Sequence, residues 1–277
     1  MHKRFSISLV AVLLLSGVTF AQRIVPKPDN LTVESTSSGD NKKAAKQFIE
    51  VRTYHLVDEA AEAKLDAYLK DALVPALTRQ GLGPIGVLDQ AGPSEDGVIV
   101  KVVIPGPTLE SVTMAWEKLD SDRAYQTAAK DYLDTPRKET PLKRIKSELL
   151  LAFDCWPEVT VPSQKKNGQD RFFEMRSYES STEKLAQLKV EMFNEGEVPI
   201  FLDAGIMPVF MGQALIGDQM PNLTYMVAFD DEAAMKAAWP NFSKHPDWKT
   251  LSSVAKYKGT VSKNNKSFWK PKSYSQL

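Results

Sequence analysis

Phe48-Ile49-Glu50-Val51-Arg52-Thr53-Tyr54 returns 124 residues later as Phe172-Phe173-Glu174-Met175-Arg176-Ser177-Tyr178. The same offset carries Val74-Pro75 onto Val198-Pro199, Gly81 onto Gly205 and Pro84 onto Pro208. With a one-residue gap, Trp116 falls on Trp239 and Tyr125 on Trp248. Register kept across so many uncommon residues marks an internal duplication.

Around each copy of the heptapeptide the pattern repeats. Phe48–Tyr54 alternates and reads as a strand. Residues 58–79 carry Leu65, Leu69 and Leu73 at helical spacing, with Pro75 expected to kink or restart the helix and Gly81 to stop it. Residues 84–89 and 98–104 read as strands. Thr108-x-x-Ser111 opens a helix through Trp116 and Leu119, a short helix covers 122–133, and 144–153 is a fourth strand. The second copy gives a strand at 171–178 and a helix from Thr182 to about Asp203, interrupted near Gly196 and Pro199. Strands at 206–216 and 222–229, helices at 231–242 and 246–256, and a polar final strand within 260–274 complete it. The expected fold is α+β: two tandem ferredoxin-like βαββαβ repeats, each with helices on one sheet face only. The open faces must find partners, and a tandem pair supplies them as a pseudo-dimeric α/β barrel. The boundaries read as repeat 1 over 47–155, a linker over 156–169 and repeat 2 over 170–277.

The first 21 residues read as a signal peptide: His2-Lys3-Arg4, an apolar stretch from Ile7 to Leu15, and Thr19-Phe20-Ala21 before Gln22. The apolar stretch is short for a membrane span. The expectation is export to the periplasm or medium with cleavage after Ala21 and no stable membrane anchor. Residues 22–46 are polar and read as a disordered tether. Without Lys3 and Arg4 the balance falls from 35 basic and 35 acidic residues to 33 and 35, which argues against nucleic acid. The single cysteine, Cys155, forms no intrachain disulfide and reads as an apolar filler.

Alternation places Ile49, Val51 and Thr53 on one strand face and Glu50, Arg52 and Tyr54 on the other. Apolar helix stripes are expected to cover the first set, which turns Glu50, Arg52, Tyr54, Glu174, Arg176 and Tyr178 toward the partner sheet. Buried charges there must pair, so the six residues are candidates for a polar network locking the repeats. They are also candidates for a pocket holding a small polar or aromatic ligand. Trp116, Tyr125, Trp239 and Trp248 read as packing on the sheet. His55 and His245 are weak ligand candidates: two histidines make no His-rich metal site, although one could ligate a haem iron. Gly-x-Ser-x-Gly, Walker and Cys-x-x-Cys patterns do not occur, which removes the easily read hydrolase, nucleotide and redox classes.

Phe-x-Glu-x-Arg-x-Tyr, the Pro199…Gly205-Ile206 spacing, Ala238-Trp239, Pro246-Asp247-Trp248 and the ending Trp269–Ser275 resemble the NIPSNAP family. The resemblance is closer in the second repeat; in the first, Tyr125 stands where Trp is expected. It implies a dimeric α/β-barrel fold and no particular reaction. The expected function is an exported binding or structural module without a cofactor, with the repeats pairing intramolecularly and a homo-oligomer open. The same fold superfamily holds cofactor-free monooxygenases and haem-dependent oxidoreductases, which sets an enzyme, with haem as cofactor, as the alternative.

Overall fold

The duplicated heptapeptide forms the central strand of each half of the molecule. In the computed structural model, residues 45–92 and 97–277 are described. The expected signal peptide and nearly all of the expected tether lie outside them. Strand β1 (Phe48–Leu56) is followed by α1 (Ala60–Tyr68), a π turn (Leu69–Leu73) and α2 (Val74–Arg79). Then come β2 (Gly86–Gln90), β3 (Ile99–Gly106), α3 (Leu109–Thr113), α4 (Ala115–Leu119), α5 (Arg123–Ala128), α6 (Lys130–Leu133) and β4 (Leu142–Ala152). A short α7 (Ser163–Lys166) lies between the halves. The second half runs β5 (Phe172–Glu179), α8 (Glu183–Met192), a π turn (Phe193–Glu197), α9 (Val198–Asp203), β6 (Met207–Ile216), β7 (Asn222–Phe229), α10 (Glu232–Lys244), α11 (Pro246–Ser253) and β8 (Lys263–Pro271).

Local chemistry explains the boundaries. Both π turns directly precede a Val-Pro pair, Val74-Pro75 and Val198-Pro199. Proline has no N–H for the ladder, and the widened turn absorbs its ring. Gly81 and Gly205 end the two helices at φ of 80° and 81°, a left-handed conformation that glycine adopts without steric cost. Thr108 and Ser111 form a reciprocal capping box on α3, and Thr182 and Asp231 cap α8 and α10.

The strands close a barrel in the order β1-β3-β2-β8-β5-β7-β6-β4. Within each half the order is ferredoxin-like, β4-β1-β3-β2 and β8-β5-β7-β6. Closure comes from two cross-repeat ladders, β2 with β8 and β4 with β6, both antiparallel. Each joins the last strand of one repeat to the second strand of the other, so the duplicated halves pair as two subunits would.

The interior is filled toward one end by Ile49, Val51, Val103, Phe173, Phe210 and Trp269, from both halves. The connecting segment does more than bridge the repeats: Val159 is buried among these residues, and Thr160 N–H bonds the Val209 carbonyl at 2.8 Å. Leu277 is also buried there, against Gly86, where a Cβ would lie 2.6 Å from its Cδ1.

A polar clamp secures the second half to the first. Lys272, at the end of β8, bonds Asp66 on α1 at 2.8 Å and Asp89 on β2 at 2.8 Å, and also Glu62. Tyr274 donates to Asp66 at 2.8 Å. Burial works to lower the Lys272 pKa, but the bonds to Asp66, Asp89 and Glu62 win and hold it above the ordinary lysine range. A raised folded-state pKa gives stability that is complete below the unfolded value of about 10.4 and lost as pH rises through the folded value. Lys272→Met should therefore destabilise the protein at pH 7. Breaking a buried pair costs about 3–5 kcal/mol. The carboxylates are 30–35% exposed, and solvent screening reduces the expectation to about 2–3 kcal/mol. Urea titrations should show the deficit shrinking toward pH 4 as the Asp89 carboxyl, pushed up by burial, takes a proton. An equal deficit at both pH values would contradict the clamp.

Candidate functional site

The polar triplets do not face the partner sheet. Ile49 and Val51 point into the barrel with Phe173 and Met175, while Tyr54 packs with Leu65, Leu69 and Leu73 beneath α1 and α2. Tyr178 likewise packs with Phe193 and Tyr225 under the second helix layer. The expected inter-repeat network of Glu50, Arg52, Tyr54, Glu174, Arg176 and Tyr178 is thus corrected to two separate networks, one inside each repeat. The reason is supply. The helix layer brings a tryptophan that satisfies both charges, whereas in the filled part of the barrel the partner sheet offers apolar side chains such as Phe173 and Met175. The helices still find apolar contact on Val87, Val100, Val102 and Ile104 of the neighbouring strands.

In the second repeat Glu174 is 1% exposed. It accepts the Nε–H of Arg176 at 2.7 Å and the indole N–H of Trp239. The Arg176 guanidinium stacks on the same indole, 3.4 Å from the ring centroid, and donates to the Tyr178 hydroxyl at 3.4 Å. Tyr178 bonds Tyr225 at 2.7 Å. One tryptophan thus donates to the acid with its edge and receives the cation on its face. The first repeat copies the device: Trp116 donates to Glu50 at 3.0 Å and carries Arg52 3.5 Å from its ring. Arg52 reaches Glu50 only at 3.5 Å, and Ser147 takes up part of the carboxylate. The reading of Trp116 and Trp239 as packing on the sheet holds, with this polar role added.

The repeats then diverge. A cavity of about 590 Å³ lies between sheet and helices of the second repeat, lined by Arg176, Tyr178, Lys189, Glu197, Trp239 and Trp248 among others. Lys189 and Glu197 form a 2.7 Å ion pair with side chains 5% and 2% exposed. Burial pushes the Glu197 carboxyl up, and Lys189 opposes that shift. The Lys189 ammonium sits 4.6 Å from the Phe193 ring centroid and 5.6 Å from that of Trp248. The 124-residue offset maps Lys189 and Glu197 onto Leu65 and Leu73, both fully buried. In the first repeat Tyr68 bonds Tyr125 at 3.0 Å and stacks on Tyr132 at 3.9 Å, beside those leucines.

Sequence reasoning missed Lys189, Glu197 and Tyr225. The signal for the first two was present in the duplication itself, as two leucines replaced by a Lys and a Glu. His55 lines a second cavity at the barrel mouth. His245 accepts the Asp247 backbone N–H at 3.2 Å with Nδ1 and so caps α11. Among the described residues no histidine, cysteine or methionine lines the second-repeat cavity, and the Tyr178 hydroxyl is engaged by Tyr225, so this donor set does not fit a haem iron. Among the described residues no group of three or more His, Cys, Asp or Glu is placed to hold a metal ion, and no helix is long and apolar enough to cross a membrane. Cys155 is half-buried, and burial pushes its thiol up to about 12, as suits a filler.

A closed eight-stranded barrel built from two ferredoxin-like halves, with polar sites beneath the helices, defines a dimeric α/β-barrel protein whose two halves share one chain. A NIPSNAP family model matches residues 173–276, within the second repeat. Solved structures of similar fold include a "Putative monooxygenase" from Fusobacterium nucleatum, at 9% identity and a TM-score of 0.55, covering 82% of this chain and 93% of that one. Another so described, from Lactobacillus acidophilus, has 6% identity and a TM-score of 0.50, covering 81% and 93%. A NIPSNAP family protein of unknown function from Agrobacterium tumefaciens matches at 15% identity and a TM-score of 0.33, covering 36% and 87%. No curated protein matches the sequence.

Removing Arg176 leaves Glu174 buried without its cation, at a cost of about 3–5 kcal/mol. Arg176→Met should lower the melting temperature strongly, and adding Glu174→Gln should recover much of it. Adding Glu50→Gln instead should recover nothing, because Glu50 belongs to the other network. Equal rescue by both second changes, measured by calorimetry, would refute two independent networks.

Proposed function

We propose that this chain is an exported small-molecule-binding module whose site is the second-repeat cavity, and that the first repeat is its structural partner. The observation that carries the reading is the buried Lys189–Glu197 pair where the first repeat has Leu65 and Leu73. Exchanging a buried ion pair for packed apolar residues is commonly neutral or stabilising by about 1–4 kcal/mol. The leucines of the first repeat are therefore the better choice for stability alone. A charged pair beside a cavity is the better choice for recognising a ligand.

The lining defines the ligand class. Trp239, Trp248 and Phe242 offer aromatic surface, and Lys266 adds a cation beside the paired Arg176–Glu174 and Lys189–Glu197. A small aromatic molecule bearing a carboxylate or another acidic polar group fits that balance. Export follows from the first 21 residues and is part of the proposal. The enzyme reading draws on the fold shared with the two structures described as monooxygenases. In that reading the same cavity would hold a substrate oxidised by dioxygen.

Titration with 4-hydroxybenzoate and related aromatic acids should quench the fluorescence of Trp239 and Trp248 saturably. Native mass spectrometry of the protein from its producing cells should show a bound small molecule. The Lys189→Leu/Glu197→Leu double variant should be as stable as the parent or up to about 4 kcal/mol more so, and should lose at least tenfold in affinity. Unchanged affinity in that variant, or no saturable response to any aromatic acid, would defeat the proposal. Oxygen uptake in the presence of a bound acid would favour the enzyme reading.

A further inference from the structure

A second cavity, of about 760 Å³, opens at the unfilled end of the barrel. It is distinct from the cavity under the helices: its walls are the inward residues of the strands, and both repeats build it. The first repeat supplies a charged wall, with Thr53 and His55 on β1, Lys101 on β3 and Glu148 on β4. The second supplies hydroxyls and an amide, from Ser177 on β5, Thr224 on β7, and Asn265 and Ser267 on β8, with the charged Asp218 and Lys266 beside them. Val51, Ile99, Met175 and Trp269 form the apolar floor, where the barrel core begins.

Two features single out this surface. Thr224 is 2% exposed, lines the cavity, and its hydroxyl has no hydrogen-bond partner among the described residues. A buried polar group left unsatisfied is costly unless something else completes it. Opposite, the Lys101 ammonium is held at 2.7 Å by the Thr53 hydroxyl and 5.3 Å from the Trp269 ring centroid, so its position is fixed before any ligand arrives. Burial raises the Glu148 carboxyl, with the charge of Lys101 opposing.

We infer that the barrel mouth binds a polyhydroxylated carboxylate, of the sugar-acid class, across the two repeats. Its carboxylate pairs with Lys101, and its hydroxyls meet Thr224, Ser177 and Asn265 on the facing wall. A fixed cation takes the acid. A wall of donor–acceptor hydroxyls suits a ligand whose own groups do both. The site exists only when the repeats are joined, so this reading gives the barrel closure itself a function, independent of the cavity beneath the helices.

The test uses the full chain and D-gluconate, with D-glucose and propionate as controls for the hydroxyls and the acid alone. Isotope-edited NMR should show saturable shifts at β1, β3, β5 and β7 with gluconate, and affinity at least tenfold weaker for either control. Lys101→Met should weaken gluconate binding at least tenfold and Thr224→Val severalfold. The Lys189→Leu/Glu197→Leu variant should bind gluconate like the parent, which separates this site from the one under the helices. If Lys101→Met fails to fold, Thr224→Val, which removes one hydroxyl and preserves volume, carries the test by itself. Saturation by propionate as strong as by gluconate, unchanged affinity in Thr224→Val, or no saturable shift at the barrel mouth would each overturn the inference.

Discussion

A four-stranded sheet with helices on one side has an uncovered face and two unpaired edges, and everything else in this protein depends on how those are satisfied. The bare apolar face must leave water, and the edges must find hydrogen-bond partners or be shielded. Joining two such sheets through β2–β8 and β4–β6 answers both requirements at once. The edges vanish into a closed barrel, and Ile49, Val51, Phe173 and Met175 meet in its interior. The connecting segment and the residues after β8 complete the closure, through Val159 in the core and through Lys272 gripping Asp66 and Asp89.

Barrel closure also decides where the charges go. With both inner faces committed to an apolar core at one end, the Glu-x-Arg pairs are placed on the outer face. There the helix layer provides what a buried acid and a buried cation need. A single indole serves both, its N–H on the carboxylate and its face under the guanidinium. The repetition of this device with Trp116 and Trp239 shows that it belongs to the folding unit. What differs between the copies is the packing beside it: tyrosines and leucines in one, a charged pair and a cavity in the other. One copy retains polar groups where burial discourages them.

The amino-acid sequence by itself determined the duplication, the βαββαβ order, the helix stops at Gly81 and Gly205, and the need for each repeat to find a partner. These follow from period, turn chemistry and proline, all of which act locally. It also picked out Glu50, Arg52, Glu174 and Arg176 as buried charges needing partners, and the NIPSNAP likeness of the second repeat. Period-two alternation divides Glu50, Arg52 and Tyr54 from Ile49, Val51 and Thr53, but it does not say which set faces a helix. Only tertiary structure decided that, because the answer depends on what Val102 and Ile104 present on the neighbouring strand and on where Trp116 and Trp239 arrive from the helices. The cavities were equally out of reach of local reasoning. Lys101 and Thr224 come from different repeats and meet at one barrel mouth only after closure, since their proximity is set by strand order and not by chain distance.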